Sequence, residues 1–574
     1  MLGSTAPHLY LAVSTRLQIG CNMALPTGVL RCAAAWILLV QCCYGFLAPR
    51  SQIQARLNHP DDAADLIPNH YIVHFHANHT LADHYANTGV NVSEVASLFV
   101  HWPLFNSYHF KLDQDNQTLV HDLIRRDPGV EWMSHNAALR WQTDQEVHHD
   151  SSVDLNHVGH TPGGSNSSSG RQLGKRWDKI HTQHAQWHIS MTTMSKKLDF
   201  SGHDVYDPRP MWEAAWLEDA GKGVNIYIFD TGVNKEHAAF EGMKEEGRIW
   251  NFKSREHKSI AAPIGHGSHV ASIAAGRNGG ALSSAFKATI VSVKTAGSGT
   301  TIARGMAAFN DVLEEHNHYK IFPPDGWRGS VINVSMYWPG SNVDDLQRAV
   351  CKVAASGIPI AAAAGNHAME ALRVPAKFKC VYSVGAVDHE YKRWTKSHFS
   401  KRLRTHAPGV AVFGANAFDN AAWGIASGTS MASPNVAGIM AIMVGYEGHD
   451  NIDNAHEIYD RLDANAINAV VVDGPMRQAG TTSKLAQSGI NNPNRDKRHP
   501  YDGIPKSELK RSMPIHARQS DRADYWDAGY YDGLKDTIEN NSPEPVFQGS
   551  ISIDDDMDDD IAEDPNSPCD CQAR

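Results

Sequence analysis

The sequence predicts an α/β fold, a three-layer arrangement of a parallel β-sheet with helices on both faces, preceded by a small α+β unit. Two observations carry the parallel sheet. Short, nearly continuous apolar runs recur at VNIYIF (224–229), ATIVSVK (288–294), VINVSM (331–336), IPIAAAA (358–364) and CVYSVGAV (380–387), as expected of strands buried on both faces. Between them lie TIARGMAAFNDVLEEH and VDDLQRAVCKVAAS, whose apolar residues return at helical spacing, and that alternation is the mark of crossover units. A third observation sets the N-terminal unit apart. Within 67–141, PNHYIVHF and NSYHFKL alternate like half-buried strands around the more helical LVHDLIRRDPGVEW.

Taken in order, the chain opens on a targeting segment. Residues 1–48 carry Arg31 and then CAAAWILLVQCCYGFLAP, a run of signal-peptide size, interrupted by Gln41 and too short for a stable membrane span. Met23 makes a tidier start than Met1. Residues 67–141 follow as the α+β unit. Residues 142–186, with HVGHTPGGSNSSSGRQLGKRW, lack an apolar period and read as a linker, and Lys175-Arg176 is its candidate cleavage point. The parallel-sheet domain is expected over 187–492. Residues 493–574 lose the apolar pattern and end in an acidic DDDMDDD tail, read as disordered.

Composition narrows the function. A chain of 574 residues, 42% hydrophobic and 20% charged, can bury a large core. Its net charge of −11, with no basic stripe, excludes nucleic acid as an expected partner. Of eight cysteines only Cys351 and Cys380 fall in the folded middle, and one bridge or two separate buried thiols both stand open. Asn78, Asn91, Asn116, Asn166 and Asn540 begin glycosylation sequons. Asn333 also begins one, but inside an apolar run, and is read as buried and unmodified. The targeting segment and sequons together imply the secretory pathway, ending outside the cell or in a vacuole.

The chemistry is sought at strand carboxyl ends. Asp230 directly follows VNIYIF. His266 opens the apolar-periodic HGSHVASIAAG, and Ser430 opens SMASPNVAGIMAIMVG, whose Pro434 is expected in the first helical turn, where N–H groups lack intrahelical partners. Nucleophilic catalysis by serine needs a base within reach and a group that fixes the base's tautomer; Ser430, His266 and Asp230 fit those roles. Asn366, after a buried strand, offers a side-chain amide beside the Ser430 N–H for a developing oxyanion. Singly Ser430, His266 and Asp230 read as a helix cap, a satisfied polar group and a turn former; together they read as chemistry. His269 reads as structural, because no HExxH or nearby acid supplies metal-ligand spacing. An α/β-hydrolase elbow is excluded, since Ala432 stands where G-x-S-x-G needs its last glycine.

FDTGV (229–233), HGSHVA (266–271), AAAGN (362–366) and SGTSMASPNVAG (427–438) resemble, in chain order, the signature blocks of the subtilisin-like serine peptidases, nearest to the proteinase K and cerevisin branch. The resemblance covers about 185–492. It implies a serine endopeptidase acting on polypeptides, with Asp230, His266, Ser430 and Asn366 catalytic, no cofactor, and residues 67–141 as an intramolecular inhibitory prodomain of a monomeric zymogen. Ser298 and Gly299, with Ser335 and Gly365, would then pair with substrate. Met336-Tyr337-Trp338-Pro339 stands where the family has a small, glycine-rich strand edge, so primary specificity does not carry over. Arg404 stands where the branch has a calcium-binding aspartate, so no calcium is expected there and no other metal site is implied. Ser268 replaces a more usual threonine. The competing reading is a non-catalytic relative that keeps the fold as a binding protein. Nine histidines between His70 and His135 read as solvated surface residues or as groups whose protonation loosens the prodomain.

Overall fold

The structure is a computed structural model, and it describes residues 54–60, 65–138, 146–148, 180–202, 204, 211–252, 265–277, 283–296, 300–338, 343–416 and 419–490. The targeting segment, Lys175-Arg176, Asn166, Asn540, the acidic tail, and Ser298 and Gly299 lie outside them. Among the described residues no helix is long and apolar enough to cross a membrane.

The N-terminal unit builds a five-stranded sheet from β1 (Arg56–Asn58), β2 (Leu66–Phe75), β3 (Leu98–Trp102), β4 (Ser107–Lys111) and β5 (Val130–Ala137), in the order β1-β5-β2-β4-β3. Helix α1 (Leu81–Thr88) begins with a capping box between Thr80 and Asp83. Strand alternation divides β2 between two environments. Tyr71, Val73 and Phe75 enter the unit's own core with Tyr108, Phe110 and Met133. Ile72, on the opposite face, joins the core of the following body together with Val100, Trp102 and Phe105. His74 and His109 are buried as well, which corrects the reading of these histidines as solvated.

Two short strands stand between the unit and the main body. β6 (Glu146–His148) and β7 (Ile180–Ala185) fall in the stretch read as linker, and β7 pairs antiparallel with β8 (Trp212–Leu217). Helix α2 (Trp187–Thr193) lies between β7 and β8 and is wholly buried.

The main sheet has nine strands. They are β9 (Val224–Asp230), β10 (Ile249–Asn251), β11 (Thr289–Lys294), β12 (Gly329–Val334), β13 (Ile360–Ala363), β14 (Tyr382–Val387), β15 (Thr405–Pro408), β18 (Ile467–Asn468) and β19 (Lys484–Leu485), ordered β10-β11-β9-β12-β13-β14-β15-β19-β18. Every pairing is parallel except β18 with β19. All residues of β9, β12, β13 and β14 are buried, which is why they read as unbroken apolar runs. A separate antiparallel sheet joins β16 (Val412–Ala415), β17 (Trp423–Ser427) and β6 in the order β16-β17-β6.

The helices α3 (His266–Ala275), α4 (Ile302–Ile321), α5 (Asp344–Ala355), α6 (Thr429–Glu447) and α7 (His456–Asn465) complete the body. Helix α6 is apolar all round and buried from Thr429 to Gly445, as a helix held between a sheet and other helices must be. Cys351 of α5 and Cys380, just before β14, form a disulfide. Asn333 is fully buried, whereas Asn78 and Asn116 are exposed. Tyr337 and Trp338 turn inward, and Trp338 meets the ring of Phe309 edge-on at 6.3 Å.

Candidate active site

Strand β9 ends by delivering Asp230 to the carboxyl edge of the sheet, fully buried. Its Oδ1 accepts from the Thr231 backbone N–H at 2.8 Å and from His266 Nδ1 at 2.7 Å. That bond fixes the imidazole with its proton on Nδ1 and leaves Nε2 as the basic nitrogen. The two segments are clasped a second time, because the Gly267 N–H donates to Thr231 Oγ1 at 3.0 Å. Gly267 makes this approach possible. A methyl group there would sit 2.2 Å from Gly232 O and 3.1 Å from Asp230 Oδ1, so α3 could no longer seat against the strand end. Asn234 N–H donates to Ser268 Oγ at 2.8 Å, so the serine in this block ties α3 to the loop after Asp230.

Ser430 is the second residue of α6, and its Oγ donates to Ser335 O at 2.7 Å. Pro434 corrects the sequence expectation, for it is the sixth residue of the helix and lies beyond the first turn. A proline there has no N–H for the carbonyl four residues back, which is that of Ser430. Ser335 Oγ supplies the missing donor at 2.9 Å. Ser335 is in turn placed by Asn333 Nδ2 at 2.9 Å, and Asn333 Oδ1 accepts from Ser433 Oγ at 2.8 Å. A buried polar chain, Ser433 to Asn333 to Ser335 to the Ser430 carbonyl, thus replaces the helix bond that Pro434 removes.

Asn366 is oriented by Thr429. Its Oδ1 accepts from the Thr429 N–H at 2.9 Å and from Thr429 Oγ1 at 2.7 Å, so the amide nitrogen faces the other way. Thr429 Oγ1 also accepts from the Gly365 N–H at 3.1 Å. A carbon added to Gly428 would lie 3.4 Å from Asn366 Nδ2 and 3.6 Å from Ser430 N. Both donors therefore border one small space beside the serine.

The structure thus joins Asp230 directly to His266, ties Ser430 to Ser335, and ties Asn366 and Gly365 to Thr429. Sequence reasoning missed Thr429, Asn333 and Ser433 as members of this network. The signal was faint: Thr429 adjoins Ser430, and Asn333 is a polar residue inside an apolar strand. His269 is buried against the Gly414 backbone, and burial lowers its pKa to about 4, so it stays neutral beside His266. Arg404 places its guanidinium 2.9 Å from Asp463 Oδ2 and over the rings of Tyr382 and Tyr459.

An Asp230–His266 pair at the carboxyl edge of a mainly parallel sheet, with Ser430 near the start of a buried helix packed on the helix of His266, places the chain in the class of α/β proteins whose polar groups collect at strand ends. The family model described as "Subtilase family" (Peptidase_S8) matches residues 221–492. A cuticle-degrading serine protease of Arthrobotrys oligospora is 32% identical over 54% of this chain and 71% of its own length. Subtilisin-like protease 3 of Pseudogymnoascus destructans is 36% identical over 41% of this chain and 55% of its own, and a subtilisin-like protease of Coccidioides posadasii is 31% identical over 49% and 66%. A solved cold-adapted subtilisin-like serine proteinase aligns over 53% of this chain and 99% of its own at 25% identity, with a TM-score of 0.41. The chain belongs to the subtilase family. It spans about half to seven-tenths of the length of the curated relatives it matches.

Proposed function

We propose that the chain is a serine endopeptidase, made as a zymogen in the secretory pathway and acting outside the cell. The observation that carries the reading is the buried His266 Nδ1 to Asp230 Oδ1 bond of 2.7 Å beside the helix that bears Ser430. Ser430 Oγ attacks a peptide carbonyl while His266 Nε2 takes its proton, and Asp230 stabilises the imidazolium. Asn366 Nδ2 and the Ser430 N–H receive the oxyanion. The imidazolium then protonates the departing amine, and water, activated by the same imidazole, releases the acyl group. The family membership and the proteases among its relatives support this chemistry.

The zymogen reading rests on the path of the N-terminal segment. Ala138 bridges antiparallel to Thr301, and Glu146 pairs antiparallel with Ser427 of β17, three residues before Ser430. The seven residues 139–145 connect these contacts. The N-terminal unit also docks on α5: Asp345 accepts from Trp132 Nε1 at 2.9 Å and Ser134 Oγ at 3.0 Å, while Arg348 reaches Glu131 and the Phe75 carbonyl. A unit docked in this way is suited to act as an intramolecular inhibitor. The test is labelling with a fluorophosphonate after removal of the N-terminal unit. Wild type should react stoichiometrically and Ser430→Ala should not; absence of labelling in both would leave the fold as a binding scaffold.

A further inference from the structure

The N-terminal unit holds a second constellation that the proposed peptide chemistry does not use. His79, in the turn after β2, His84, on α1, and Asp127, in the turn before β5, bring one ligand-type atom each within 4.8 Å of one another. His84 Nδ1 lies 2.5 Å and His79 Nε2 2.9 Å from the same carboxylate oxygen, Asp127 Oδ2. His84 and the Asp127 side chain are fully buried, and His79 is 13% exposed, which leaves one approach from solvent. We propose that His79, His84 and Asp127 form a binding site for a divalent transition-metal ion of zinc's class.

The surroundings of the three groups support this. Metal-ligating imidazoles and carboxylates are usually held by a further ring of hydrogen bonds. Here Asp127 Oδ1 accepts from Asn87 Nδ2 at 2.8 Å and from the Gly129 N–H at 3.0 Å, which leaves Oδ2 for the ion. His84 Nε2 lies 3.0 Å from Tyr108 Oη, itself fully buried. With the ion on Nδ1, His84 carries its proton on Nε2 and donates it to Tyr108. Gly129 lets the His79 ring lie flat over the backbone, since a methyl group there would come within 2.1 Å of it.

Two imidazoles and a carboxylate are a common three-ligand set for zinc, with water in the fourth position. Ligand atoms around a tetrahedral zinc sit about 3.3 Å apart at bond lengths of about 2.0–2.1 Å. The two imidazole-to-carboxylate separations, 2.5 Å and 2.9 Å, need to open by less than about 1 Å to meet that spacing. The ion would join three segments of one small unit, a linkage that adds directly to its folding stability.

The test is titration of the full chain carrying Ser430→Ala with zinc(II) against a chromogenic chelator. Cobalt(II) absorption reports the coordination number. Parent protein is expected to bind one equivalent, with a four-coordinate cobalt spectrum. His79→Gln should weaken that binding about 100-fold or more, and Tyr108→Phe, which removes only the hydrogen bond to His84, about tenfold. Because the chain has 33 histidines, the comparison between variants decides the outcome. Absence of saturable binding, or zinc affinity and cobalt spectrum unchanged in a His79→Gln protein with parental near-ultraviolet circular dichroism, overturns the proposal.

Discussion

His74 Nε2 lies 2.7 Å from Asp345 Oδ1, and both side chains are buried where β2 of the N-terminal unit meets α5 of the main body. Burial is the largest influence on His74 and lowers its pKa, only partly offset by Asp345. Burial raises the pKa of Asp345, but His74, Trp132 and Ser134 outweigh it and hold the carboxyl below its ordinary value. Both groups therefore bind protons more weakly in the docked state than when released.

Acid should accordingly undock the unit. A histidine with a lowered pKa and a carboxylate with a lowered pKa both favour the docked state above their ordinary values and lose that contribution as pH falls through them. Protection factors of the β2 and β5 amides in a Ser430→Ala chain, taken against the intrinsic exchange rate at each pH, should fall from about pH 7.5 to about pH 5, the range in which a free imidazole gains its proton. Protection that stays flat across that range would show that the pair does not govern docking.

Gly267→Ala should abolish activity with the fold retained. The methyl group collides with Gly232 O at 2.2 Å and crowds Asp230 Oδ1, so the bond from His266 is lost. Under the proposed mechanism turnover should fall by about 10⁴-fold, the loss that follows when the acid of a Ser-His-Asp triad is replaced by asparagine. Kinetics beside circular dichroism check it.

Asn366→Ala should lower kcat by about 10²–10³-fold, as loss of this kind of donor does in subtilisin, a member of the same family. Thr429→Ala removes the Oγ1 bonds to Asn366 Oδ1 and from the Gly365 N–H while keeping the backbone N–H bond to Asn366, and should cost about tenfold, the equivalent of one neutral hydrogen bond. KM should change little in either, because the proposed mechanism assigns Asn366 to the oxyanion. A Thr429→Ala protein with full kcat would show that Asn366 is oriented without the Thr429 hydroxyl.

Ser335→Ala leaves the Ser430 carbonyl without the donor that replaces the helix bond missing at Pro434. A buried carbonyl left in that state costs about 1–3 kcal/mol. Urea unfolding should show a loss of that size, and restoring the helix bond with Pro434→Ala in the same chain should recover part of it.

Reduction of Cys351–Cys380 should destabilise the main body. The bridge closes a loop with a sequence separation of 29, for which the chain-entropy model gives about 3–4 kcal/mol. Unfolding of a Cys351→Ala, Cys380→Ala chain measures it.

The parallel sheet was legible because burial on both faces leaves an apolar run, and Asp230 was legible because it interrupts one at its end. The disulfide stood open in the sequence, since cysteine spacing alone does not distinguish a bridge from two thiols. β7 was hidden in a stretch rich in polar residues, for pairing with β8 needs only backbone groups. The Ser433, Asn333 and Ser335 chain was illegible because its members are 100 and 95 residues apart from their partners on α6. Trp338 departs from the family pattern, and sequence alone could not tell that it packs inward against Phe309.

The pairing of β6 with β17 has a kinetic meaning. Both strands belong to one polypeptide, so β6 meets β17 at an effective concentration that a free peptide does not approach. While the connection is intact, dilution cannot separate them. Were it severed, the same contacts would obey ordinary mass action, and β6 would leave β17 as the solution is diluted.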